Sequence, residues 1–331
     1  MEDSKVVTLF EWIDTATTKI TALTEEPYLE SLALPLEALF YGELHEEQIP
    51  EVDKAIRAFM QLGNRDDYST EEMRKAIQLT VLKGMKEHTQ QQHAMTPETI
   101  SLFIGYLAEK LTNHLDEVRL FDPASGIGNL LLIVMNHLKQ TTHAYASEVD
   151  ATLLKISLLN ANLQKKRVEF FHQDSLRPLL LDPVDLVVAD LPVGYYPDDV
   201  QAANYELKSK DGHSYSHHLF IEQSLMYTKP GGFLIFIIPE NLFESDQAEN
   251  LHQFIHKYAH IVGIIQLPDT AFASKQHKKS VFILQKRGEH TENVKEPLLA
   301  VLPSFNNTAG MEDILEKINQ WFEQSLPYLE K

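Results

Sequence analysis

The ten-residue segment FDPASGIGNL, from Phe121 to Leu130, constrains the fold of this chain more than any other part of it. A short apolar run meets Asp122 there, a turn with Gly126 and Gly128 follows, and a helical apolar pattern comes next. Glycine tolerates positive φ and lets a ligand approach the backbone, and a helix N-terminus offers free N–H groups. The segment therefore predicts a strand that enters a helix through a turn suited to a ligand.

Apolar runs of strand length alternate with helix-length amphipathic segments from residue 118 onward. Strands separated by helices indicate βαβ units, which build a parallel sheet covered on both faces. The last two strong runs have no clear helix between them, so we expect an antiparallel pair there. We predict strands at 118–121, 142–147, 167–172, 186–189, 232–238, 261–267 and 280–285, with an edge strand at 298–302. We predict the intervening helices at 128–138, 151–164, 218–227 and 248–258, and a last one at 311–326.

Residues 1–90 show apolar positions at helical spacing and little strand-like alternation, which predicts a helical N-terminal domain. The run Ser69-Thr-Glu-Glu72 resembles a helix start within it. A polar, Gln-rich stretch at 88–95 is typical of a linker, so the second domain is placed at 91–331. Thr96 precedes Pro97 and is predicted to cap the helix that begins there.

The net charge of −19 comes from 29 basic and 48 acidic residues and argues against nonspecific nucleic-acid binding. It leaves room for a local basic surface, and the basic cluster at 273–279 is a candidate for contacting phosphates, although a solvated loop is the more common explanation of such a run. The lack of cysteine excludes disulfides and thiolate metal sites. No run approaches the ~18 apolar residues of a membrane helix, and no signal-peptide core is seen, so we expect a cytoplasmic protein without membrane contact.

Acidic residues follow each of the first four predicted strands of the sheet. Ligands of parallel sheets bind outside the carboxyl ends of the strands, so these residues are read together. Glu148 lies 20 residues after Gly128, the spacing of an acid that binds ribose hydroxyls. Asp174 can accept from an adenine amino group, and Asp122 can hold an ammonium group. Together these acids predict a nucleoside-like ligand with a cationic tail.

Two of the strand-end acids have equally good structural explanations. Asp150 fits the N-cap of the helix that follows it. Asp174 fits a turn that leads to Pro178. The histidines at 213, 217 and 218 lack a further ligand at a recognisable spacing, so we interpret them as packed or solvated and predict no metal site.

The segments 122–129, 147–150, 185–192 and 229–243 resemble the class I S-adenosylmethionine (SAM)-dependent methyltransferases of the DNA adenine, amino-methylating group. Within that group the chain is most similar to the methylation subunits of type I restriction–modification systems and their stand-alone bacterial relatives. The resemblance covers roughly residues 90–290. It implies a Rossmann-like seven-stranded α/β sheet, mostly parallel with an antiparallel last strand, and SAM as cofactor. The implied cofactor-binding residues are Thr96, Asp122, Ala124, Gly126, Gly128, Asn129, Glu148, Asp150, Asp174 and Asp190.

The resemblance also implies a mechanism, from which this chain departs. In the family an Asn/Asp-Pro-Pro-aromatic loop binds the acceptor amino group, which attacks the methyl group in line, and the aromatic ring stacks on the extruded base. Here the loop reads Asp190-Leu-Pro192-Val193, and valine has no π-face. Stacking is worth ~1–3 kcal/mol per base. Tyr195 or Tyr196 can replace it if Gly194 shifts the loop; an ordinary loop position is as good an explanation. The catalytic set is thus Asp190, Pro192, Tyr195 and Tyr196.

These observations predict a SAM-binding methyltransferase acting on an amino group, with DNA as acceptor through the basic cluster or a separate specificity partner. One alternative is a SAM-binding interaction protein with an eroded acceptor site, which Leu191 and Val193 favour. Another is methylation of RNA or of a protein amide. An NAD-type dehydrogenase is disfavoured because Leu131 stands where its third glycine is required. The sequence carries no signal for an oligomeric state.

Overall fold

The computed structural model describes residues 2–43, 48–87, 95–272 and 278–329. The described N-terminal part is helical, as predicted. Its helices are α1 (Glu2–Thr24), α2 (Tyr28–Tyr41), α3 (Pro50–Met60) and α4 (Thr70–Glu87). Ser69 starts α4 as expected: its hydroxyl accepts from the Glu72 N–H at 3.2 Å, while the Glu72 carboxylate accepts from the Ser69 N–H at 2.7 Å. This reciprocal pair satisfies two N–H groups at the helix terminus.

The remainder is an α/β structure around one mixed sheet, as the alternation of the sequence predicted. Its strands are β1 (Glu117–Asp122), β2 (Thr141–Glu148), β3 (Val168–His172), β4 (Val184–Asp190), β5 (Thr228–Pro239), β6 (Ala259–Gln266), β7 (Lys279–Lys286) and β8 (Leu298–Val301). Its helices are α5 (Glu98–Thr112), α6 (Asn129–His137), α7 (Ala151–Leu163), α8 (Asp199–Ala202), α9 (Ser216–Met226), α10 (Ala248–Tyr258) and α11 (Thr308–Ser325).

The strand order is β3-β2-β1-β4-β5-β7-β6-β8. The first five strands in this order are parallel, and β7 is antiparallel to both β5 and β6, which confirms the expected antiparallel pair. The sheet has eight strands because β8 adds a parallel edge strand beside β6. Since β7 runs against its neighbours, its first residue, Lys279, lies at the edge where the parallel strands end.

Helices cover both faces of the sheet, which explains the nearly continuous apolar runs of β4 and β5. One face packs against α5, α6 and α11, with Leu120, Leu186 and Ile235 in that core. The other packs against α9 and α10, with Val187 and Phe236 in its core. The two cores hold the parallel strands rigidly, so the residues at their carboxyl ends have fixed positions.

A third core joins the N-terminal helices to α7. Leu32 and Leu36 of α2 share it with Ile156 and Leu159 of α7 and with Ile127 of the turn before α6. The N-terminal helices therefore pack against the glycine turn through Ile127. The division into domains 1–90 and 91–331 stays a prediction. Residues 88–94 of the predicted linker lie outside the described residues.

Candidate functional site

The strand order brings the four predicted acids together. Because β3, β2, β1 and β4 are neighbours and parallel, their carboxyl ends place Asp174, Glu148, Asp122 and Asp190 along one edge of the sheet. β2 and β4 lie on opposite sides of β1, so the connections leave β1 toward one edge of the sheet and later return to add strands on its other side. Such a switch point opens the crevice in which α/β sheets bind ligands.

The glycine turn between β1 and α6 is fixed by hydrogen bonds to the end of β2. The Ser125 N–H donates to the Ser147 carbonyl at 3.1 Å, and the Gly126 N–H donates to the Glu148 carboxylate at 2.9 Å. Gly126 and Gly128 have φ of +52° and +77°, in the left-handed region that favours glycine. A Cβ on Gly126 would meet nothing within 4 Å, so open space borders the turn there.

We expect Gly128→Ala to destabilise the fold much more than Gly126→Ala. Both substitutions place alanine at positive φ, which costs roughly 1–2 kcal/mol. A methyl group at Gly128 would also overlap the Ser157 hydroxyl of the packed helix α7, whereas at Gly126 it enters open space. Urea unfolding of both variants measures the difference, which we expect to exceed ~1 kcal/mol. Equal losses of stability would contradict the assigned packing.

Asp122 is an almost fully buried carboxyl group, with 1% of the residue exposed. Its Oδ1 accepts from the Ala124 N–H at 3.0 Å. Burial raises the pKa of Asp122 to about 8, and the charges of Glu148 and Asp190 add to the effect, while the Ala124 bond opposes it. A buried acid next to other acids is stabilised in its charged form by a cation. Among the described residues no cationic side chain is bonded to Asp122.

Glu148 is held by backbone N–H groups on both carboxylate oxygens. Oε1 accepts from Val149 and Asp150 at 2.9 Å each, and Oε2 accepts from Gly126. A carboxylate can accept about four hydrogen bonds, so capacity remains for a ligand hydroxyl. Asp150 is the N-cap of α7, accepting from the Thr152 and Leu153 N–H groups, as the structural explanation anticipated.

Asp174 lies in a turn and is shared with Tyr196. Its Oδ1 accepts from the Leu176 N–H at 2.9 Å, and its Oδ2 accepts from the Tyr196 hydroxyl. The Arg177 guanidinium lies 3.9 Å from Oδ2. Tyr196 is buried, and burial followed by the bond to Asp174 raises the pKa of its hydroxyl above the ordinary value. Its ring therefore has no open face, contrary to the expectation that it can stack on an acceptor.

Asp190 ends β4, and hydrogen bonds link it to Lys279 and Thr96. Its Oδ1 accepts from the Lys279 ammonium at 2.5 Å, and its Oδ2 accepts from the Thr96 hydroxyl at 3.1 Å. The Asn129 amide donates to the Thr96 carbonyl at 2.9 Å. The prediction that Thr96 caps α5 is wrong: α5 begins at Glu98 without a side-chain cap, because the Thr96 hydroxyl is bonded to Asp190 instead.

The loop after Asp190 exposes one aromatic ring. Leu191 is buried, Pro192 is exposed, and Val193 is 55% exposed. Tyr195 is 59% exposed and stacks on Tyr215, with ring centroids 4.8 Å apart and planes 16° apart. The Tyr215 hydroxyl donates to Asp246 at 3.0 Å. The pair is thus a fixed stack whose outer ring belongs to Tyr195.

Three histidines surround this stack, in agreement with the packed or solvated interpretation. His217 and His218 are buried behind Tyr215, and burial lowers the pKa of His217 to about 3 and that of His218 to about 4, so both rings are neutral. His213 is exposed and pairs with Asp199 at 2.9 Å. Within the described ranges no group of three His, Asp or Glu side chains is arranged to hold a metal ion. Those ranges also contain no helix long and apolar enough to cross a membrane.

The basic cluster predicted at 273–279 is only partly described, since 273–277 lie outside the described residues. Its two described lysines are engaged by acids of the protein. Lys278 pairs with Asp269 at 2.8 Å, and Lys279 pairs with Asp190. These pairs correct the expectation that this part of the cluster is free to contact phosphates.

Sequence reasoning missed two residues of the site. Lys279 was assigned to a surface cluster, although an antiparallel β7 places its first residue beside the ends of the parallel strands. Tyr215 was not singled out, because it is 20 residues from Tyr195 and only an isolated bridge between them brings the rings together. The antiparallel pairing was a usable signal for Lys279; no local pattern indicates Tyr215.

Comparison with known proteins gives matches over nearly the whole chain. Residues 83–309 match the N-6 DNA Methylase family, and residues 7–85 match the YtxK N-terminal helical domain. The uncharacterized protein YtxK of Bacillus subtilis strain 168 is 44% identical over 327 residues, which is 98% of this chain and 99% of that protein.

Solved structures show the same fold. The crystal structure of a candidate class I SAM-dependent methyltransferase from Listeria monocytogenes is similar with a TM-score of 0.91 at 40% identity, covering 97% of this chain and 99% of that one. A type I restriction-modification system methyltransferase subunit from Streptococcus thermophilus has a TM-score of 0.64 at 14% identity, covering 95% of this chain and 73% of that one. At that identity the likeness shows the fold alone.

Proposed function

Because the chain belongs to the N-6 DNA methylase family, a family of SAM-dependent methyltransferases, we propose that it transfers a methyl group from SAM to the amino group of an adenine in DNA. The observation that carries this proposal is the row of acids at the ends of β1 to β4 beside a glycine turn with free space. The proposed cofactor-binding residues are Thr96, Asp122, Ala124, Gly126, Gly128, Asn129, Glu148, Asp150, Asp174 and Asp190.

The chemistry of the donor set fits SAM. The Asp122 carboxyl is buried, and its surroundings favour the protonated form. Binding of a ligand ammonium would drive the Asp122 proton into solvent and leave a carboxylate that pairs with the ammonium. Glu148 keeps capacity for ribose hydroxyls, and its carboxylate is oriented by three N–H groups. Asp174 can bind an adenine amino group once the Tyr196 hydroxyl yields its place. Gly126 leaves room for the ligand to reach the backbone.

When bound, SAM supplies a methyl group on a sulfonium, which is reactive without further activation. The residues of this chain position the acceptor against it. We assign Asp190 to accept a hydrogen bond from the acceptor amino group, with Thr96 and Lys279 holding its two oxygens in place. Pro192 restricts the loop after Asp190, because its ring fixes φ. Positioning and electrostatics of this kind account for most of the rate in transfer reactions with little covalent chemistry from the protein.

The proposal is tested by calorimetry with SAM, followed by transfer of a labelled methyl group from SAM to adenine-containing DNA, to RNA and to cell extract. We expect SAM binding and transfer to DNA. Transfer to RNA or to extract protein, with none to DNA, would show that the chain is a methyltransferase with an acceptor other than DNA. If the chain fails to bind SAM, both the cofactor and the reaction are wrong.

A SAM-binding protein without transfer is the second candidate, and one observation favours it. Both Asp190 oxygens already have a partner in the protein, and Val193 provides no stacking ring at the family's aromatic position. SAM binding by calorimetry without labelled product in any acceptor would support this candidate. Its interaction partner would then be found among proteins that bind the SAM-loaded chain.

The exposed Tyr195 is the residue best placed to replace the missing aromatic. One face of its ring rests on Tyr215, which in turn rests on the buried His217 and His218, and the ring remains 59% exposed. A planar base can extend such a stack on the open side. Tyr196 belongs to the cofactor side of the loop instead, because its hydroxyl binds Asp174.

We expect Tyr195→Ala to weaken binding of an adenine-containing oligonucleotide about tenfold or more, because stacking is worth ~1–3 kcal/mol per base. SAM affinity should stay unchanged. Val193→Ala is the matched control in the same exposed loop and should leave both affinities unchanged. Fluorescence anisotropy of a labelled oligonucleotide measures the effect. Equal oligonucleotide affinities of the two variants would remove Tyr195 from the acceptor site.

A further inference from the structure

The ion pair between Lys279 and Asp190 is built into the sheet. Lys279 begins β7, where it pairs with Pro239 of β5, and its carbonyl accepts from the Leu267 N–H at 3.2 Å. Asp190 ends β4, one strand beyond β5. The Lys279 side chain thus reaches across the end of β5, and its ammonium donates to Asp190 Oδ1 at 2.5 Å. Backbone pairing on both strands fixes the two charges relative to each other.

The pair stands out because the surrounding edge is strongly acidic. Asp122, Glu148, Asp174 and Asp190 lie side by side along it. In the part of the chain that the structure describes, Lys279 is the only amine that hydrogen-bonds to any of the four. The side chains of Lys279 and Asp190 are 25% and 16% exposed, so water screens their interaction only in part.

We propose that Lys279 is a specificity-determining residue, which offsets the negative charge of Asp190 where the acceptor amino group binds. The inference rests on the proposed function of this site. An unpaired carboxylate at Asp190 would attract ammonium groups, which have no lone pair and cannot accept a methyl group. A carboxylate already paired with Lys279 can accept from an uncharged amino group, such as that of a nucleobase, with less of this competition.

The charge of the site can be measured without an acceptor, by comparing two cofactor ligands. SAM carries a sulfonium, and S-adenosylhomocysteine carries a neutral thioether in its place. Their affinity ratio therefore reports the electrostatic environment of the sulfur. A residue that only supports the fold changes both affinities together and leaves the ratio unchanged.

Calorimetry with the two ligands on full-length variants is the test. We expect Lys279→Met to raise the ratio of SAM affinity to S-adenosylhomocysteine affinity about tenfold, and Asp190→Asn to lower it by a similar factor. The double variant should return close to the wild-type ratio, because both charges are removed together. Lys279→Arg keeps the charge and should keep the ratio.

Lys278→Met is the matched control. Lys278 is the residue before Lys279 and pairs with Asp269, so this variant removes the same charge at a neighbouring position. It should leave the ratio unchanged, which separates the local charge from the net charge. If Lys279→Met does not fold, the Asp190→Asn and Lys279→Arg variants still decide. If Asp190→Asn binds both ligands with an unchanged affinity ratio, this inference is overturned while the proposed function stands. A wild-type protein that binds neither ligand would overturn the proposed function, and this inference with it.

Discussion

Asp122→Asn should stabilise the ligand-free protein while it weakens SAM binding. The carboxyl has a pKa of about 8 in the folded protein, because it is buried and close to Glu148 and Asp190. In the unfolded chain its pKa is ~3.9. Between these values the folded state keeps the proton and the unfolded state loses it. The free energy of unfolding therefore falls as the pH rises from ~4 to ~8, and levels off above that.

An asparagine of the same shape escapes this cost and can still accept from the Ala124 N–H. We expect Asp122→Asn to raise the free energy of unfolding by about 2–4 kcal/mol at pH 7 and by much less near pH 5. Urea unfolding across this pH range measures the difference. Asp182→Asn, at an exposed position, removes the same charge and should have no such effect.

SAM binding should change in the opposite direction. At pH 8.5 we expect Asp122→Asn to lose about ten- to a hundredfold in SAM affinity, because a charge-assisted hydrogen bond to the ligand ammonium is lost. Wild-type affinity should fall as the pH drops below ~8, since binding requires the proton to leave Asp122. A variant that is more stable yet binds SAM as tightly as the wild type would contradict the role of Asp122 in cofactor binding.

Leu159→Asp should disrupt the packing of the N-terminal helices against α7 and abolish SAM binding. Leu159 is 2% exposed in the core that α7 shares with α2 and with Ile127. A carboxylate there is buried without a partner, which we expect to lower the free energy of unfolding by more than ~4 kcal/mol. Because Ile127 belongs to the glycine turn, loss of this core also releases the turn that borders the cofactor site.

The neighbouring residue provides the control. Leu158 lies on the same helix but is 37% exposed, so Leu158→Asp should cost less than ~1 kcal/mol and leave SAM binding intact. Urea unfolding and calorimetry on both variants separate the two cases. Similar behaviour of Leu158→Asp and Leu159→Asp would show that the helical region and α7 do not depend on a common core.

The alternation of strands and helices was predictable because each element has its own periodicity in the sequence. The eight predicted strands all occur, with ends displaced by at most four residues. Helix caps were less predictable. Ser69 caps α4 as expected, because its partner Glu72 is three residues away. Thr96 does not cap α5, because Asp190, a residue distant in sequence, takes its hydroxyl.

Local sequence alone determined the parts of the site that depend on chain-neighbouring residues: the glycine turn, the acids at the strand ends and the cap at Asp150. Their positions follow from parallel strands, whose ends meet at one edge whatever the side chains between them are. Tertiary structure decided what each acid contacts. The Lys279–Asp190 pair, the Tyr196–Asp174 bond and the Tyr195–Tyr215 stack join residues brought together by strand order and loop path. No local pattern encodes these contacts, because their distances depend on the packing of the whole sheet.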